Sequence, residues 1–77
     1  MEIKIVNVKI SVAQKLNLKS WVCRKYNIEE SNIEEFRILR QAIDARKRNQ
    51  VVYDYQFYLR LKSEIPTLLK HAEISLY

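Results

Sequence analysis

Alternation is the dominant pattern along this chain. It is cleanest from Val51 to Lys62, where Val51, Tyr53, Tyr55, Phe57, Leu59 and Leu61 fall on one side and Val52, Asp54, Gln56, Tyr58, Arg60 and Lys62 on the other. Successive side chains of a strand point to opposite faces, so this run predicts a long strand with one buried, aromatic-rich face. The first run, Ile3-Lys4-Ile5-Val6-Asn7-Val8-Lys9-Ile10, also alternates but changes phase at Ile5 and Val6. Its β-branched residues favour a strand, and the phase change requires a local bulge or two buried faces. A third run, from Glu35 to Ile43, sets Arg37, Leu39, Gln41 and Ile43 against Phe36, Ile38, Arg40 and Ala42. Neither face is purely apolar, which suits an edge strand whose charges discourage pairing with other chains.

Two stretches have helical spacing instead. Leu18, Trp21, Val22 and Tyr26 form an apolar stripe, with Lys15, Lys19, Arg24 and Lys25 largely around it. Ser11 opens this helix, with Gln14 three residues later in capping-box spacing, and Asn27 closes it because asparagine tolerates left-handed backbone. Ile28 to Asn32 then reads as an acidic loop. Ile65, Leu68, Leu69 and Ala72 sit at i, i+3, i+4 and i+7, so a second helix is predicted, capped by Ser63 and with Pro66 tolerated in its first turn. Ile74 to Tyr77 reads as a short last strand or a linker.

The predicted order is β, α, β, β, α, β, the split βαβ arrangement of a ferredoxin-like α+β fold, an antiparallel sheet with two helices on one face. Right-handed crossovers place the first and third strands in the centre and the second and fourth at the edges. Seventy-seven residues are enough for a single small domain spanning 1–77. No repeats or low-complexity segments occur.

Composition removes several classes of chemistry. The chain has no glycine. Phosphate-cradling loops need glycine where backbone approaches ligand, so no Rossmann or P-loop site is built from these residues. Cys23 is the single cysteine, which excludes an internal disulfide and points to a reducing, cytoplasmic setting. Glu2, Lys4, Asn7 and Lys9 interrupt the apolar N-terminal run, unlike a signal peptide, and no stretch is apolar enough to span a membrane. His71 is the only histidine; with no cysteine cluster beside it, a metal site or a histidine-based triad has no second member. Glu29, Glu30, Glu34 and Glu35 read as a solvated acidic loop.

Charge is the remaining signal. The net charge is +5, the isoelectric point is near 9.5, and the stretch Ala42-Ile43-Asp44-Ala45-Arg46-Lys47-Arg48-Asn49 reads as a basic turn between two strands. A solvated hairpin tip would account for it, with Asp44 accepting backbone N–H bonds. As a docking surface, Arg46 would pair bidentately with a carboxylate or phosphate, while Lys47, Arg48 and Arg40 add attraction. Sheets of this predicted topology also bind single-stranded RNA through open-face aromatics. Here Tyr53, Tyr55 and Phe57 share the core face, leaving Tyr58 as the main open-face aromatic.

From Ile28 to Tyr55 the string IEESNIEEFRILRQAIDARKRNQVVYDY resembles the N-terminal segment of bacterial FAD-dependent dehydrogenases of the NAD(P)/FAD-dependent oxidoreductase family. The likeness rests on an I-x-x-F-R-I strand, here Ile33, Phe36, Arg37 and Ile38, and an S-I-D-A-R-K-K turn, here Ile43, Asp44, Ala45, Arg46 and Lys47. Ala42 replaces the family's Ser and Arg48 a Lys. The resemblance implies an N-terminal accessory domain preceding a flavin-binding domain, so FAD would belong to the parent protein and not to these residues. On this reading the chain is a noncatalytic docking module whose partner is the flavin-binding domain of the same polypeptide or an acidic protein surface. A freestanding RNA-binding domain is the alternative, and a stand-alone enzyme has no convergent acid, base or nucleophile to support it.

Overall fold

A computed structural model describes residues 1–11, 17–47 and 50–77, with the backbone alone described at 44–47, 50 and 51. Along them run β1 (Glu2–Ser11), α1 (Leu18–Tyr26), a 3-10 turn (Glu30–Asn32), β2 (Ile33–Lys47), β3 (Gln50–Leu61), a second 3-10 turn (Pro66–Lys70) and β4 (Ile74–Leu76). The strands form one sheet in the order β2-β3-β1-β4, every neighbouring pair antiparallel. β1 and β3 are central and β2 and β4 lie at the edges, but the fold is not the predicted ferredoxin-like one with two helices. It is a strand-rich antiparallel sheet with α1 as the only α-helix among the described residues.

Pro66 accounts for the absence of a helix before it. A residue before proline is pushed out of helical conformation, and Ile65 sits at φ −127°, ψ 83°. No helix can therefore run from Ser63 through Pro66. The Ser63 N–H donates instead to Asn32 Oδ1 at 2.8 Å, tying this loop to the one before β2. The tight turn that follows ends at His71, which is extended (φ −75°, ψ 129°), and it buries Leu68 alone.

β1 carries the bulge its phase change called for. Ile5 is opposite Phe57 and Val8 opposite Tyr55, so three steps along β1 match two along β3. Asn7 takes positive φ there (57°). As a result Ile3 and Ile5 before the bulge, and Val8 and Ile10 after it, all face the core. α1 starts later than predicted: Ser11 is the last residue of β1 and pairs with Val52, Gln14 lies outside the described residues, and Asn17 is the N-cap, its side chain accepting from the Ser20 N–H. Asn27 ends the helix in left-handed conformation, as its type predicted (φ 55°, ψ 50°).

β2 differs most from expectation. The predicted turn over Ala42–Asn49 is strand through Lys47, which pairs with Gln50. Three register shifts interrupt its pairing with β3, between Ile33 and Glu35, Ile38 and Arg40, and Asp44 and Lys47. The middle shift exchanges the faces. Phe36 and Ile38 before it lie opposite Leu59 and Phe57, and Gln41 and Ile43 after it lie opposite Tyr55 and Tyr53, all on the core side. Arg37, Arg40 and Ala42 lie opposite Tyr58, Gln56 and Asp54 on the other side. The mixed faces read from strict alternation were the product of one extra residue.

One apolar cluster joins these parts. Ile3, Ile5, Ile10, Phe57 and Leu59 from the sheet meet Val22 and Tyr26 of α1, Ile28, Leu68 and Ile74. Phe57 is fully buried, its ring 5.1 Å from that of Phe36 and stacked on Tyr55 at 5.3 Å. α1 and the Pro66–Lys70 turn thus cover one sheet face and leave the other open. Among the described residues no helix is long and apolar enough to cross a membrane.

Candidate functional site

Residues with chemical potential fall into three places. The first joins α1 to the approach of β4. The Tyr26 hydroxyl donates to Glu73 Oε1 at 2.9 Å, His71 Nδ1 lies 3.7 Å from the same oxygen, and the His71 ring meets Tyr26 edge-on at 5.0 Å. Burial, then the bond to Glu73, raises the Tyr26 pKa far above the ordinary phenol value. The Glu73 carboxylate is held below its usual range by a hydrogen bond from its own backbone and by Tyr26. The Val6 N–H donates to the Glu73 carbonyl at 2.9 Å, so the β1 bulge docks on the same residue. Lys25 lies over the Trp21 ring at 5.1 Å. These contacts fasten the end of the fold to α1, and the Tyr26 hydroxyl and the Glu73 carboxylate are partnered with each other.

The second place is the open sheet face, where cross-strand rows alternate in charge. Lys9 pairs with Asp54 at 2.8 Å, Arg60 reaches Glu34 at 3.2 Å and Glu35 at 3.7 Å, and Arg37 Nε donates to Glu35 at 2.8 Å. Two of the acids read as loop acids therefore neutralise cations of β2 and β3. Tyr58 lies on this face but is 7% exposed. Its hydroxyl donates to Glu2 at 2.9 Å and its ring packs edge-on against Tyr77 at 4.9 Å. Burial and the Glu2 bond raise its pKa. Stacking a nucleobase on Tyr58 would require displacing Tyr77. A cleft of about 190 Å³ is lined by Glu35, Arg37, Leu39, Tyr58 and Tyr77.

The third place is the outer part of β2, which holds the predicted partner-binding residues. Arg40 is exposed, opposite Gln56. Asp44, expected to structure the turn, sits in the ladder opposite Val52. Arg46 and Lys47 occupy the end of the strand, and Arg48 lies outside the described residues. Sequence reasoning missed the apolar members of this surface: Ile38 is 47% exposed, Leu39 40% and Ile43 67%. Their signal was present in the predicted edge position, since an apolar side chain on an outer strand has a neighbour on one flank only. Among the described residues, β2 has β3 as its one strand neighbour.

Cys23 is half-buried in α1. Burial and Glu30 raise its pKa against the smaller pull of Lys19, which disfavours the reactive thiolate. Among the described residues no three His, Cys, Asp or Glu side chains converge as metal ligands would.

Residues 2–59 match the family model described as "Domain of unknown function (DUF8436)", and the chain belongs to that family. Over 65 residues it is 32% identical to a Clostridium beijerinckii protein named "Uncharacterized protein", a match covering 83% of this chain and 12% of the relative's length. No solved structure matches the chain.

Proposed function

We propose that this DUF8436 domain is a noncatalytic accessory module that docks within a longer protein. The observation that carries the reading is the 12% of the relative's length that the match covers, taken with an edge strand that leaves three large apolar side chains exposed beside arginines. Exposed apolar residues on a small domain mark interaction surfaces when they cluster. The resemblance to FAD-dependent dehydrogenases supplies the rest of the proposal: the longer protein is a cytoplasmic flavoprotein, FAD is bound by its other domain, and this domain packs on that domain or on another acidic surface. The single cysteine fits a reducing compartment.

The relative provides the test. Its full-length form and a form lacking the matching residues would be purified, and the excised domain added back in trans. Flavin absorbance in both forms, with binding of the domain to the shortened protein, is the expected result. A colourless full-length protein would remove the flavoprotein assignment, and failure to rebind would remove docking.

A further inference from the structure

We propose that the free edge of β2 from Arg40 to Asp44 takes up one extended segment of a partner protein in which apolar and acidic residues alternate. This rests on the docking reading and names its surface and the partner's chemistry.

The bulges choose the location. An edge strand offers unpaired backbone N–H and C=O groups to any extended chain, and bulges break that offer wherever they occur. Those of β2 leave two regular stretches, Glu35 to Ile38 and Arg40 to Asp44. In the first, Glu35 is engaged with both Arg37 and Arg60. The second is five residues long, exposes Arg40, Gln41 and Ile43, and sits between two bulges that would stop a longer strand from adding. The site is therefore suited to a short segment and not to a sheet growing without limit.

The pleat sets the alternation. Gln41 and Ile43 share the core side with Tyr55 and Tyr53, while Arg40 and Ala42 share the open side with Gln56 and Asp54. A strand laid on this edge would turn one set of side chains toward Ile43, 67% exposed, and the other toward Arg40. Apolar residues satisfy the first set and acids the second.

Charge selects the class of partner. Between Arg37 and Asp54 the sequence holds the cations Arg37, Arg40, Arg46, Lys47 and Arg48 against the acids Asp44 and Asp54. A second copy would bring the same excess and the same +5 net charge, whereas an acidic segment is attracted. Single-stranded RNA shares the charge preference, but the open-face Tyr58 it would stack on is covered.

The experiment uses the whole chain and a fluorescein-labelled peptide, Glu-Val-Glu-Val-Glu-Val, with anisotropy as the readout at two salt concentrations. Controls are the block-ordered Glu-Glu-Glu-Val-Val-Val and the basic Lys-Val-Lys-Val-Lys-Val. Only the alternating acidic peptide should bind well, and backbone amide resonances of 40–44 should move with it. Arg40→Glu and Ile43→Asp should each weaken it by about tenfold or more, while Lys70→Glu, the same charge change on the exposed Pro66–Lys70 turn, should leave it within about twofold. All three positions are exposed, and circular dichroism confirms that the variants stay folded.

Absence of binding would overturn the proposal, as would equal binding of either control peptide or equal losses from Arg40→Glu and Lys70→Glu. Concentration-dependent dimerisation abolished by Ile43→Asp would assign the edge to a second copy, and RNA binding abolished by Arg40→Glu would assign it to nucleic acid; either result replaces the acidic peptide. Binding to the shortened relative that survives Arg40→Glu and Ile43→Asp would leave docking standing and remove this edge.

Discussion

The contact between Tyr26 and Glu73 joins the only described α-helix to the residue just before β4, so Tyr26→Phe tests how the end of the chain is held. A hydrogen bond to a charged group contributes about 1.5–3 kcal/mol when shielded. Here the Glu73 side chain is 30% exposed, and water replaces much of what the hydroxyl supplied, leaving about 1 kcal/mol. A domain of this size has roughly 4–11 kcal/mol in total. With a urea slope of about 1 kcal/mol/M, the unfolding midpoint should fall by about 1 M. Trp21, the single tryptophan, lies on the same helix as Tyr26 and reports the transition by fluorescence. The pH dependence separates the two partners. Glu73 has a lowered folded pKa, so its contribution is present above the unfolded carboxylate value and lost as pH falls through the folded one. Tyr26 has a raised folded pKa, so its contribution is full below the ordinary phenol value, about 10, and lost as pH rises toward the folded one. Tyr26→Phe should therefore abolish the alkaline loss due to this residue but keep part of the acid loss, because Glu73 retains its backbone hydrogen bond. A double-mutant cycle with Glu73→Gln should give a coupling near 1 kcal/mol; a value under about 0.3 kcal/mol, or an unchanged alkaline limb, would refute this account.

Two further outcomes follow from local geometry. Cys23 should react with a disulfide reagent far more slowly in the native protein than in urea, since burial and Glu30 both oppose the thiolate; equal rates would contradict its placement. Deleting Leu39 should remove the bulge between Ile38 and Arg40 while keeping every side chain on its present face, whereas deleting Gln41 either closes the bulge and turns Arg40 to the core side opposite Tyr55 or keeps it and turns Ala42, Ile43 and the residues beyond to the opposite face. Thermal unfolding should rank the Gln41 deletion below the Leu39 deletion by about 4 °C or more, the shift expected for 1 kcal/mol in a domain of this length, and the reverse order would show that the register is wrong.

The parts of the fold legible in the sequence were those with undisturbed period. Tyr55 to Leu61 gave the central strand and its core face because alternation there is unbroken, and β1 announced its bulge through adjacent Ile5 and Val6. β2 was misread because its extra residue falls between Ile38 and Arg40, where a side chain of either type is tolerated at an edge, so strict alternation assigned Arg40 and Ile43 to the wrong faces. The second helix failed for a different reason: Ile65, Leu68, Leu69 and Ala72 have helical spacing, but Pro66 keeps Ile65 out of helical conformation, and the residues after it close as a 3-10 turn that ends at Lys70. The cations of the candidate surface were visible as a charge run, and the edge position predicted for β2 already implied exposure of Ile38, Leu39 and Ile43, although which face each takes depends on the bulge.

Backbone turning in a chain without glycine falls to asparagine. Five asparagines occur, and four lie in the described residues, each where the chain changes course. Asn7 and Asn27 are the two positive-φ residues there, at the β1 bulge and the end of α1. Asn17 caps α1 through its side chain, and Asn32 bridges to Ser63. Most L-residues lose about 1–2 kcal/mol in left-handed conformation, asparagine less and glycine almost nothing. Asn7→Ala and Asn27→Ala should therefore each cost about 1 kcal/mol in urea unfolding, while Asn7→Gly and Asn27→Gly should match or exceed the parent, despite the added freedom of the unfolded chain. The two sites separate further in consequence. Asn7 positions Val6, whose N–H binds the Glu73 carbonyl, so Asn7→Ala should also weaken the Tyr26–Glu73 coupling. Asn27 sets the exit of α1 toward Ile28 and should leave that coupling unchanged. Equal effects of the two alanine variants on the coupling would mean that the bulge and the end of the chain are held independently, and that the Val6 contact does not transmit the conformation of Asn7.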